Sequence, residues 1–149
     1  MRFGLLVLLI SGFLLGSCSS DKLSAADVIT AGFADLRFTA NSAVGDSVRR
    51  DKYLKASLAL EAELRSFDEY FAGAVGTFRT AFADYDAGQD SLRRISDEYF
   101  ARQKDARTRF VDAHAAMAAS VTVDEWKVLS RKEISLLKDI RSASVRSLQ

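Results

Sequence analysis

Two side chains carry chemistry that no other residue of this chain can duplicate. Cys18 is the only thiol and His114 the only imidazole. Met117 follows His114 by one helical turn, which sets a nitrogen beside a thioether, a pairing that suits haem iron or copper. Such a site needs further ligands. The sequence offers no second histidine, no haem-attachment motif and no other cysteine. His114 therefore reads as a semi-buried structural histidine, of a residue type whose charge ordinarily changes near neutral pH. Nucleophilic catalysis needs Ser or Cys beside His and an orienting acid. No Gly-x-Ser-x-Gly elbow is present, and the serines fall mostly at helix starts and on helix surfaces. The adjacent acids Asp68-Glu69 and Asp97-Glu98 point about 100° apart on a helix and read as solvated faces. Acids alternate around Gly88 as in a calcium loop, but the register fails. With Asp84 first, Gly88 falls at the fifth position instead of the sixth, and Ile95 stands where Glu is required. The expectation is a non-enzymatic protein with no metal and no dissociable cofactor.

Cys18 has a different context. A single cation at Arg2 is followed by the uncharged run from Phe3 to Leu14, then by Leu15-Gly16-Ser17-Cys18. One cation, an apolar core and small closing residues make the layout of a secretory signal peptide. The run is shorter than the roughly 20 apolar residues that span a bilayer. The closing tetrad resembles the lipobox of bacterial lipoproteins: an aliphatic residue, two small ones, then cysteine. The resemblance covers the first 18 or so residues. It implies cleavage between Ser17 and Cys18, a diacylglyceryl thioether on Cys18 and, in many bacteria, acylation of the new amino terminus. Ser19 follows the cysteine. In Gram-negative lipoproteins an Asp there favours inner-membrane retention, so the resemblance implies the outer membrane, facing the periplasm. A plain secretory signal or short anchor is the alternative.

Residues 1–17 are thus assigned to the signal peptide, 18–22 to a lipidated tether and 23–149 to a single domain. The 132 mature residues suffice for one core. Arg2 leaves with the signal, so 20 bases balance 20 acids. A neutral chain has no electrostatic footprint for nucleic acid or an anionic membrane surface. With no second cysteine an intramolecular disulfide is excluded, and the absence of proline favours long helices. Expected partners are the membrane, through the lipid, and an unidentified envelope protein.

The elements that position these residues are all helical. Ser24 and Asp27 form a capping box, with Leu23 and Val28 as a staple. Apolar positions recur at Val28, Gly32, Leu36 and Ala40, with Ile29 and Phe33 beside them. Residues 41–46 read as a turn or a weak point. A long helix is predicted from about Ser47 to Tyr85, with the seam Leu60, Leu64, Phe67, Phe71, Ala74, Phe78, Ala81 and Tyr85 at bundle or coiled-coil spacing. Gly73 and Gly76 interrupt it and suggest a kink or a close helix crossing. Gly88 is expected to end that helix, and Asp90 or Ser91 to cap the next, which runs to about Ser120. Its seam is Leu92, Ile95, Tyr99, Ala106, Phe110, Ala113 and Met117. The aromatic series is expected in the core. The last helix has the clearest start: Thr122 caps, Glu125 reaches back and Val121 staples to Trp126. Trp126, Leu129, Glu133, Leu137, Ile140 and Ser144 follow at helical spacing. The fold class is all-α, an antiparallel bundle of three or four long helices.

Asp-Glu-Tyr-Phe-Ala occurs at 68–72 and again at 97–101, from a duplicated hairpin or by coincidence. The starts at 23–27 and 121–125 resemble the doubled Leu-Thr-x-x-Gln motif of periplasmic stress chaperones, although both copies lack the Gln. That resemblance implies an envelope-stress chaperone or sensor binding unfolded chains. The favoured expectation is a membrane-anchored envelope lipoprotein, as the lipobox resemblance implies, with a non-enzymatic structural or protein-interaction role. Trp126 and His114 are the side chains nominated for contact with a partner.

Overall fold

The structure, a computed structural model, describes residues 23–84 and 88–146. The predicted signal peptide, the Ser17–Cys18 junction, the tether and Tyr85 lie outside the described residues. Four helices follow in order: α1 (Ala25–Ala43), α2 (Ser47–Ala83), α3 (Gln89–Ala119) and α4 (Val123–Arg146). They form an all-α, antiparallel bundle.

Local chemistry fixes the helix starts. At α1 the Asp27 amide donates to Ser24 Oγ (3.1 Å) while the Ser24 amide donates to Asp27 Oδ2 (3.2 Å). The same reciprocal box opens α4: Thr122 N–H donates to Glu125 Oε2 (2.8 Å), and Glu125 N–H to Thr122 Oγ1 (3.3 Å). Asp46 caps α2 by accepting from the Arg49 amide at 2.7 Å. Two details differ from expectation. Asp84, not Gly88, closes α2. Gly88 is the N-cap of α3 with φ −60°, so neither Asp90 nor Ser91 caps it, and the glycine's conformational freedom goes unused.

The core is built at one end of the molecule. Ile29, Phe33, Leu36 and Ala40 of α1 meet Tyr53 and Leu60 of α2, Met117 of α3, and Leu129 and Leu136 of α4. Leu36 and Ala40 of the predicted α1 seam are buried, whereas nearer its start Ile29 and Phe33, expected beside the seam, are the buried pair and Gly32 packs against Leu136 of α4. In α4 the buried positions are Leu129, Glu133, Leu136 and Ala143, so Leu136 takes the place expected of Leu137.

Cross-helix pairs set the register. Arg37 is ion-paired with Glu61, and Arg65 Nη1 donates to Thr30 Oγ1 at 3.5 Å. Lys132 pairs with Asp35 at 2.7 Å. Arg109 grips Glu63 with two hydrogen bonds of 2.8 and 3.0 Å. The 19 residues of α1 reach about 28 Å and the 37 of α2 about 55 Å at 1.5 Å per residue. With Thr30 beside Arg65, α1 gives out level with about residue 70 of α2. By the same reckoning from the His114–Glu133 contact, α4 ends level with about residue 101 of α3. Beyond those levels, among the described residues, α2 and α3 continue alone as a two-helix arm, about 20 Å long.

Candidate functional site

The two nominated residues meet. His114 and Trp126 stand edge to face with ring centroids 5.4 Å apart, and Phe110 lies parallel to the imidazole on α3, 6.4 Å away. His114 Nδ1 is 2.8 Å from Glu133 Oε1. The carboxylate side chain is 2% exposed, whereas the imidazole is 42% exposed. A buried carboxylate is costly unless it is paired and hydrogen-bonded, and His114 supplies that partner. Tyr53, behind it in the core, has a hydroxyl with no hydrogen-bond partner among the described residues. Burial first, and the negative charge of Glu133 second, push the Tyr53 hydroxyl pKa well above its ordinary value. A histidine–carboxylate pair is part of a nucleophilic triad, but none of the hydrogen bonds among the described residues brings a serine or threonine to His114. The pair instead ties α3 to α4, two helices that otherwise touch sparingly. Trp126 is half-buried against it.

Glu125 links the α4 start to α2. Besides its box contact it accepts from Arg49 Nη2 at 3.1 Å. The Thr122 amide, and after it the Arg49 guanidinium, hold its carboxyl down to about 2, against an ordinary value of 4.5. A depressed folded-state pKa means that this stabilisation is complete above the unfolded value and is lost as pH falls. The melting temperature should therefore drop between about pH 4.5 and about pH 2. Glu125→Gln should flatten that part of the thermal-melt profile; equal slopes in both proteins would remove Glu125 from the account.

The second feature is the arm. The aromatic series expected in the core is instead only partly covered. Phe67 and Phe71 stack at 6.5 Å, Phe78 and Phe82 at 6.2 Å, and Tyr99 bridges them from α3 at 6.4 Å to Phe71 and 6.2 Å to Phe78. Phe82 is 73% exposed and Phe100 62%. The two Asp-Glu-Tyr-Phe-Ala copies lie side by side here: Tyr70 and Tyr99 stack at 6.4 Å, and Arg102 covers Tyr70 at 5.8 Å. Asp68, expected on a solvated face, is half-buried. Burial first, then the neighbouring Glu69, raises its carboxyl pKa. Toward the base, Leu64, Phe67, Phe100 and Phe110 line an open groove of about 480 Å³, rimmed by Glu63, Lys104 and Arg107. Spacing could place these aromatics on one face; it carried no sign that α1 and α4 stop short of them.

Among the described residues no group of three His, Cys, Asp or Glu side chains is placed to hold a metal ion, and no helix is long and apolar enough to cross a membrane. No protein-family model, curated protein or solved structure matches the chain.

Proposed function

We propose that this protein is a bacterial envelope lipoprotein, anchored through a lipid on Cys18 and acting as a non-enzymatic interaction module. The observation that carries the interaction reading is the arm's aromatic face, which neither α1 nor α4 covers among the described residues. Exposed apolar patches of this kind mark interaction surfaces. Helix α1 begins at Ala25, level with the arm's root. Ser19 after the cysteine favours the outer membrane by its likeness to Gram-negative lipoproteins.

The groove at the arm's base favours a second reading, a chaperone that holds apolar segments of unfolded chains. A holdase assay with a denatured client separates the two: suppression of client aggregation supports the chaperone, and its absence the interaction module.

The anchor itself is tested by Cys18→Ala in a bacterial host. The expected result is a precursor that keeps residues 1–17 and carries no acyl chains. Unchanged mature mass and membrane partition in that variant would overturn the lipoprotein reading.

A further inference from the structure

The four phenylalanines on the arm face of α2 are spaced symmetrically. From Phe67 to Phe71 is four residues, from Phe71 to Phe78 seven, and from Phe78 to Phe82 four. The pattern reads the same in both directions about a midpoint between Ala74 and Val75. At about 100° per residue all four fall on one stripe of the helix. That stripe continues the line of Tyr53 and Leu60, which α1 and α4 bury in the base. A helix that packs antiparallel on an identical helix about a two-fold axis must present a pattern of this kind, because residue i meets j and j meets i.

We propose that the uncovered face of the arm is the interface of a symmetric dimer, in which a second copy lays its α2 antiparallel along the first. Phe67 then meets the partner's Phe82, and Phe71 the partner's Phe78. This deepens the interaction reading above and rests on it: the occupant is another copy of this chain.

Charge supports the same register. Asp68 and Arg79 lie eleven residues apart, three turns, on the same flank of the phenylalanine stripe. Among the described residues neither makes an ion pair. Antiparallel pairing brings Asp68 within two residues, about 3 Å along the axis, of the position opposite the partner's Arg79, and does so twice. Length fits as well. The uncovered section is as long as the arm, so the partner's arm fills it and restores the four-helix cross-section of the base. Two helices about 10 Å wide over about 20 Å offer roughly 400 Å² per copy, about 800 Å² in the pair. That is the size of a weak or transient interface. Copies confined to one surface by lipid anchors gain effective concentration, which favours so small a contact.

The test uses the full chain in the envelope of a Gram-negative host. Val75→Cys places a thiol beside the two-fold axis, and Val111→Cys places one on α3 away from the arm. Mild oxidation should cross-link Val75→Cys into a disulfide dimer at least roughly tenfold more than Val111→Cys. In the Val75→Cys background, Asp68→Arg or Arg79→Asp alone should cut the yield roughly tenfold, since symmetry doubles each repulsion, and the two together should restore it. Restoration is a readout that damage to the fold does not imitate. Equal yields at positions 75 and 111, or no recovery in the double swap, would overturn the dimer. A Val75→Cys product with a different protein would also overturn it while leaving the interaction reading standing. An oxidised dimer from the chain with no added cysteine would reveal a free Cys18 thiol and bring down the anchor reading instead.

Discussion

Replacing His114 with alanine should cost about 2 kcal/mol of folding stability, the cost of leaving a buried hydrogen-bonding group without its partner. The cost arises at Glu133, not at the imidazole. The Glu133 side chain is 2% exposed and its hydrogen bond comes from His114 Nδ1 at 2.8 Å. Without the imidazole the buried Glu133 side chain loses the hydrogen bond it makes with His114. Solvent that reaches the half-exposed His114 keeps the loss below that of a fully buried ion pair. Apolar replacement of a buried charged group is often neutral or stabilising. Glu133→Leu in the His114→Ala background should therefore recover most of the loss. Urea unfolding of the two single variants and the double closes the cycle. If His114→Ala unfolds at the wild-type midpoint, the pair does not secure α3 to α4.

The second large effect is expected at Gly32, where α1 crosses α4. A Cβ there would lie 2.0 Å from Leu136 Cδ1 and 3.1 Å from its Cγ. Leu136 is 5% exposed and belongs to the core, so its side chain must shift within that packing to admit the methyl group. Alanine is the better helix former by about 1 kcal/mol. Overpacking costs typically 1–3 kcal/mol, and the displaced leucine loses burial in addition. Gly32→Ala should be net destabilising by about 2 kcal/mol. Adding Leu136→Ala should cost less in that variant than in the wild type, because losing the leucine also relieves the clash. A more stable Gly32→Ala protein would mean that the two helices are free to separate.

These two sites show where sequence was informative and where it was not. The capping boxes at Ser24–Asp27 and Thr122–Glu125 were legible because they depend on residues three apart. The helices between them were legible because their apolar spacing matches no strand. Spatial partners were not. Glu133 fell on the α4 seam, and a charged residue at a core position was a signal, but nothing local tied it to His114 nineteen residues earlier. The three interior glycines show the same limit. Gly73 and Gly76 suggested a close crossing and stand in open space, whereas Gly32, counted as one more apolar position, makes the close approach. The phenylalanine stripe was correctly placed on one face of α2. Whether that face is covered depends on the lengths of α1 and α4, which its own spacing does not encode.

The account turns on the state of Cys18, and the N-terminal peptide of the mature protein tests it most directly. Membranes from a host expressing the full chain are extracted with detergent, and the purified protein is digested for mass spectrometry. The predicted first peptide begins at Cys18 and carries a diacylglyceryl group on sulfur, with an N-acyl chain where the host adds one. A first peptide that begins elsewhere, or one that carries Cys18 as a free thiol, would contradict the account.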